Sequence, residues 1–259
     1  MPKLKAYHRP ANLDEALRLL SRRGVNTAIV AGGTYINAHL ANRVDEVIDL
    51  QAVGLTEASY SSDRLTLGAM VRLQRIVEDS QAPALLRETA QREGPNTLRH
   101  AASVGGIVVG ASKESELLAA LLVFEAEVHV QYPSPPPHPP RKRGGDGGGI
   151  PLTDFLRDGP AALDGGIVTA VSLATTGKTA SARVGRTPAD QPIVAAVARL
   201  DPGGKLHLAL CGVAHTPVLV DPHNVKAAVN PPGDFRGSSE YRRHMAATLA
   251  ERVIGEVSS

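Results

Sequence analysis

The chain is poor in residues that form covalent cross-links, metal clusters or aromatic surfaces. One cysteine, Cys211, stands among 259 residues, which excludes an internal disulfide. It also excludes an iron–sulfur cluster or a cysteine-rich zinc site built by this chain alone, since such centres take about four thiolates. Tryptophan is absent and the aromatics are five Tyr and three Phe, so no stacking platform for single-stranded nucleic acid is expected. An excess of one charge is lacking too. The 28 Lys and Arg against 26 Asp and Glu leave a formal +2, which implies no nucleic-acid partner. The longest apolar run, Leu117 to Phe124, falls well short of the roughly 18 residues a spanning helix needs, so no membrane insertion is expected. The opening Met1-Pro2-Lys3-Leu4 has no apolar secretory core, and a cytoplasmic location is the expectation.

Catalytic motifs are equally scarce. There is no His-Glu-x-x-His zinc pattern, no Gly-x-Ser-x-Gly elbow and no paired-cysteine metal spacing. The nine histidines are scattered. His207 and His215 flank the Cys211 segment and read as satisfied or exposed side chains. Cys211 lies in an alternating apolar run and reads as an inert buried thiol.

What the chain does have is a clear sequence of elements. Asn12 followed by Glu15 forms a helix start, and Leu13, Ala16, Leu17 and Leu20 continue at helical spacing, with Gly24 placed to end it. Thr27–Val30 and Glu46–Leu50 are β-prone, and the first fifty residues read as a βαβ unit with a glycine turn at its edge. A strand at Leu65–Leu67 and helices over Val71–Glu78 and Pro83–Arg92 come next. Residues 116–124 read as a buried helix, and Glu127–Gln131 alternates as a strand. Tyr132–Gly149, with its prolines, Arg141-Lys142-Arg143 and glycine run, reads as a surface loop, since proline lacks the N–H a ladder needs. A strand at Ile167–Leu173 closes this part. Beyond it, Ile193–Leu200 and Leu206–Val213 flank the hairpin turn Asp201-Pro202-Gly203-Gly204. A helix over Ser238–Val257 carries Tyr241, Met245, Leu249 and Val253 on one face, with Ser238 as its N-cap.

Two small-residue turns stand out: Ala31-Gly32-Gly33-Thr34 and Ser103-Val104-Gly105-Gly106. Glycine lets backbone approach another group closely, and successive N–H groups in such a turn can converge on an anion. Two of them brought together can hold a diphosphate from both sides without a lysine. Neither matches the Rossmann fingerprint or the P-loop, so from spacing alone each is equally a plain tight turn.

Taken in order, the segments resemble a known family. Tyr7-His8-Arg9-Pro10, Asp14-Glu15-Ala16-Leu17, Ala31-Gly32-Gly33-Thr34, Val47-Ile48-Asp49-Leu50, Leu67-Gly68-Ala69 and Leu98-Arg99-His100-Ala101-Ala102-Ser103-Val104-Gly105-Gly106 open the pattern. Pro151-Leu152-Thr153-Asp154-Phe155, Arg183-Val184-Gly185-Arg186 and Gly237-Ser238-Ser239-Glu240-Tyr241-Arg242-Arg243 complete it. The ordered set is similar to the FAD-binding flavoprotein subunit of the molybdenum hydroxylases, the group of xanthine dehydrogenase and aerobic carbon monoxide dehydrogenase.

The resemblance implies an α+β fold: a two-lobed FAD-binding domain over residues 1–175, with lobe one at 1–54 and lobe two at 55–175, then a small α+β C-terminal domain over 176–259. It implies FAD as cofactor, held by Ala31, Gly32, Gly33, Thr34, Tyr35 and Ile36 from the first turn. Ala102, Ser103, Gly105, Gly106 and Ile107 would serve from the second. Glu116 stands where the family has an aspartate for the ribose region, and Arg183 where it often has a lysine near the flavin. The sequence departs from the family pattern at Tyr35, Ile107, Glu116 and Arg183. Arg183 reads equally as one half of a surface ion pair.

No acid, base or nucleophile constellation accompanies these segments, which suits a protein whose cofactor carries the chemistry. The implied activity is that of an oxidoreductase subunit passing electrons from an iron–sulfur (2Fe–2S) subunit to a small-molecule acceptor, alongside a large molybdopterin subunit. Two alternatives stay open: a flavin-free scaffold subunit of such a complex, and a stand-alone flavin oxidoreductase.

Overall fold

The computed structural model describes residues 4–34, 44–134 and 148–259. It begins with strand β1 (Ala6–His8), helix α1 (Leu13–Leu20), strand β2 (Thr27–Val30) and strand β3 (Glu46–Asp49). The Asn12 side chain accepts from Glu15 N–H at 2.9 Å while the Glu15 carboxylate accepts from Ala11 N–H at 3.0 Å, so the start of α1 is capped reciprocally. The helix ends at Leu20, before Gly24. The strands run parallel in the order β1-β3-β2, with Val47 opposite both Tyr7 and Ala28. Ala16, Leu17, Ile48 and Leu50 form the apolar underside of this unit, and Met70 and Ile167 from later in the chain complete it.

A second sheet is antiparallel, in the order β4-β5-β8-β6-β7, from β4 (Ala58–Tyr60), β5 (Arg64–Gly68), β6 (Glu127–Gln131), β7 (Ile150–Pro151) and β8 (Ile167–Ala174). Its helices are α2 (Leu73–Glu78), α3 (Ala84–Arg92), α4 (Asn96–Ala101), α5 (Val104–Gly110), α6 (Glu116–Val123) and α7 (Leu152–Asp158). Most of the proline- and glycine-rich stretch expected as a surface loop, residues 135–147, lies outside the described residues.

The second glycine segment is not the tight turn expected of it. Gly105 and Gly106 lie in the first turn of α5, after Ser103 as N-cap. Glycine is a poor helix former, costing about 1 kcal/mol against alanine. Tertiary contacts override that cost. Val104 N–H donates to Val71 C=O at 3.0 Å and Gly105 N–H to Ala69 C=O at 2.8 Å, so the turn at Ala69–Val71 that follows β5 anchors the helix start.

The third sheet, β12-β11-β10-β9, is also antiparallel: β9 (Lys178–Val184), β10 (Val194–Leu200), β11 (Leu206–Cys211) and β12 (Val218–Leu219). Apolar residues occupy both faces of β10. Ala195 and Val197 join the core around α6, whereas Val194, Ala196 and Ala198 join the core under helix α9 (Ser239–Ser258), which follows the short helix α8 (Val225–Ala228). All eight residues of α6 are buried, because it lies between the third sheet on one side and helices α3 and α7 on the other. Each leucine held there contributes about 2 kcal/mol on leaving water.

The capping of α9 by Ser238 matches the sequence reading: its hydroxyl oxygen accepts from Tyr241 N–H at 3.1 Å. The buried face is rotated from the expected one. Leu249 and Val253 are buried as expected, but with Arg242, Ala246, Ala250 and Val257, while Tyr241 is exposed. Arg242 causes the rotation. Its guanidinium is 1% exposed and donates to the carbonyls of Ile193 and Gly212 and to Asp234 Oδ1, so this polar residue takes a core position.

Candidate functional site

The first glycine turn leaves the C-terminal end of β2. Gly33 has φ +71°, a left-handed conformation that a side chain would strain. Gly32 is constrained by space instead: a Cβ there would run into the backbone carbonyl of Ala101 and lie 2.9 Å from Arg72 Nη1. Segments some seventy positions apart are therefore packed backbone to backbone, and the glycine permits it. Among the described residues, the N–H groups of Gly32, Gly33 and Thr34 have no backbone acceptor. Tyr35 and Ile36, assigned to the same turn from the sequence, lie outside the described residues.

The second segment begins where α4 ends at Ala102. Ser103 Oγ accepts from Gly106 N–H at 3.2 Å, and Ile107 N–H donates to Ser103 C=O at 3.0 Å. With Val104 and Gly105 donating to Val71 and Ala69, the amides of 104–107 are all engaged within the chain. The nest of free amides expected of this segment therefore does not form. What it still presents is the Ser103 hydroxyl hydrogen, which has no acceptor among the described residues, and the partly exposed backbone at Gly106 and Ile107. Gly105 matters for packing: a Cβ would sit 2.9 Å from Ala69 Cβ and 3.0 Å from Ala69 O.

Sequence reasoning missed Arg72. In a helical reading of Val71–Glu78 it is one more polar position, and nothing in its neighbours marks it. In the structure it precedes α2, pairs as an isolated bridge with Ser103, and sends Nη1 to the Ala101 carbonyl between the two glycine segments.

Glu116 and Arg183 are brought to each other. Glu116 is 2% exposed; its Oε2 accepts from Arg92 Nη1 at 3.0 Å and its Oε1 lies 3.2 Å from Arg183 Nε. Arg183 also donates to the carbonyls of Pro188 and Asp190. Burial pushes the Glu116 carboxyl upward while Arg183 and Arg92 oppose the rise. The ion pair weighed for Arg183 is thus present, and it lies inside the protein rather than on its surface. Nearby, Glu93 accepts from Ser115 Oγ at 2.7 Å and Leu117 N–H at 3.0 Å, and burial pushes its carboxyl up to about 7.

Cys211 is fully buried, and burial pushes its thiol well above the ordinary range, as expected of an inert residue. His207 is paired with Asp201 at 3.2 Å, and these two with Glu125 form a cluster of metal-ligating groups. Arg199 Nη1 lies 3.1 Å from Glu125 Oε2 and neutralises that carboxylate, which makes the cluster an ion-pair network.

The arrangement at Gly32–Thr34 offers donors and a nearby cation to an anion, on backbone that side chains would obstruct. Residues 2–173 match the family described as FAD binding domain in molybdopterin dehydrogenase. The chain is 28% identical to the Escherichia coli K12 protein YgfM, over 98% of this chain and 96% of that one. It is 25% identical to the glyceraldehyde dehydrogenase medium chain of Sulfolobus acidocaldarius, over 98% of each. Its fold is similar to a chain of carbon monoxide dehydrogenase from Hydrogenophaga pseudoflava, with TM-score 0.83 and 19% identity, over 100% of this chain and 98% of that one. It is also similar to a chain of quinoline 2-oxidoreductase from Pseudomonas putida 86, with TM-score 0.81 and 22% identity, over 100% and 98%.

Proposed function

The chain belongs to the FAD-binding domain family of the molybdopterin dehydrogenases, and from that premise we propose that it is the FAD-binding electron-transfer subunit of a molybdenum hydroxylase. The observation that carries this reading is the backbone packing of Gly32 on Ala101. It joins two glycine segments far apart in the chain beside amides with no acceptor among the described residues. Those residues fit the diphosphate of a flavin nucleotide: donors without side chains, on a turn that only glycine can form.

In this reading the cofactor is held by Ala31–Thr34 with Tyr35 and Ile36, and by Ala102, Ser103, Gly105, Gly106 and Ile107. The first turn contributes amide donors, and the second contributes the Ser103 hydroxyl and the rigid start of α5. Glu116 and Arg183 act from the joint between α6 and β9. Their ion pair ties that joint together. The flavin, when bound, would supply the redox chemistry. The chain's own task is to hold and orient it.

With one cysteine, this chain cannot hold the iron–sulfur cluster that delivers the electrons. A 2Fe–2S subunit and a large molybdopterin subunit are the proposed partners, with a small-molecule electron acceptor. The domain limits proposed with this reading are 1–175 for the FAD-binding domain, divided at 54, and 176–259 for the C-terminal domain. No helix among the described residues is long and apolar enough to cross a membrane, and a cytoplasmic setting is part of the proposal.

Titration of the purified full chain with FAD tests the reading. Flavin absorbance near one equivalent per chain is expected. A chain that neither purifies yellow nor takes up added FAD is a flavin-free scaffold, and that result rejects the proposal.

A further inference from the structure

We propose that the Arg72 guanidinium is the cationic partner of the flavin nucleotide's diphosphate, and that it selects nucleotides carrying that group. This rests on the FAD-binding reading above and adds a residue to it.

The argument starts from charge. Five buried or half-buried arginines meet carboxylates: Arg92 and Arg183 share Glu116, Arg199 meets Glu125, Arg236 meets Glu114 and Arg242 meets Asp234, while the half-buried Arg99 and Arg243 are each held by several neutral acceptors. Arg72 is half-buried, and among the described residues no carboxylate lies within ion-pair distance of it. Its one side-chain acceptor there is the Ala101 carbonyl. A guanidinium carries several N–H donors in a fixed fork, so most of this one is left for another group. Holding a partly desolvated cation without a counter-charge is unfavourable, and an anion arriving beside it removes the cost.

Position supplies the second part. Arg72 Nη1 lies 2.9 Å from where a Cβ on Gly32 would stand, so the cation borders the turn whose amides at 32–34 lack acceptors among the described residues. The Arg72–Ser103 bridge fixes its backbone against the second glycine segment. The cation, the amides without acceptors among the described residues and the Ser103 hydroxyl thus belong to three adjoining stretches of chain. An acidic group with several oxygens matches that set, and a planar guanidinium binds phosphate oxygens in pairs where an ammonium acts as a point charge.

The test uses the full chain and its Arg72→Gln and Arg72→Lys variants, titrated with FAD and with riboflavin, which lacks phosphate, at low and high salt. Thermal melting of each variant checks folding. Arg72→Gln is expected to weaken FAD binding about 10- to 100-fold, to leave riboflavin binding unchanged, and to flatten the salt dependence of FAD binding. Arg72→Lys is expected to recover part of the loss. Equal losses for FAD and riboflavin with unchanged salt dependence would assign Arg72 to shaping the turn alone and overturn the proposal. So would an Arg72→Gln variant that binds FAD like the parent. A parent chain that binds no FAD at all rejects the functional reading instead.

Discussion

The two glycine segments look alike in sequence and behave differently in the structure. Ala31–Thr34 follows a strand, leaves its amides without backbone acceptors among the described residues, and uses glycine for a left-handed φ and for close backbone contact. Ser103–Gly106 opens a helix, engages its amides within the chain, and uses Gly105 to let that helix lie on Ala69. In the proposed function the first glycine pair meets a ligand, and the second is committed to packing. A diphosphate held by both would therefore take different things from each: donors from the first, a fixed wall and a hydroxyl from the second.

Substitutions at the two pairs should separate these roles. The largest effect is expected at Gly32→Ala, where the new methyl meets the Ala101 carbonyl. FAD affinity, followed by flavin fluorescence, should fall by at least about 100-fold, as overpacking of a few kcal/mol displaces the turn. The melting temperature should change far less, because this turn is only half-buried. Gly105→Ala should reverse the pattern. Its methyl would crowd Ala69, so stability measured by urea unfolding should fall by about 1–3 kcal/mol, while FAD affinity changes less than it does at Gly32. If both variants lose binding and stability in the same proportion, the division of labour between the segments is wrong.

Much of the fold was legible. The reciprocal cap at Asn12 and Glu15, the Ser238 cap and the 201–204 hairpin are set by local chemistry and appear where the pattern places them. The buried helix at 116–123 was legible because a run apolar on every side fits only between two layers. The helical state of Gly105 and Gly106 was not, since it depends on the carbonyls of Ala69 and Val71, more than thirty positions earlier. The buried face of α9 was missed for a related reason. Arg242 is a surface residue by composition, and the carbonyls of Ile193 and Gly212 together with the Asp234 carboxylate make its burial favourable. In the candidate site, the glycines were legible because close backbone approach restricts the residue type. Arg72 was not, because its significance lies in its place beside Gly32 and Ala101 with no carboxylate near it among the described residues, which is a property of three-dimensional neighbours. The pairing of Glu116 with Arg183 was hidden in the same way: both were named, but as separate contacts to a ligand rather than to each other.

Amide hydrogen exchange on the full chain, with and without FAD, tests the central contrast most directly. The account predicts that FAD slows exchange at Gly32, Gly33 and Thr34, whose amides have no acceptor among the described residues, and changes little at Val104, Gly105 and Gly106, which start protected by bonds within the chain. FAD bound at one equivalent with exchange at residues 32–34 unaltered would contradict it.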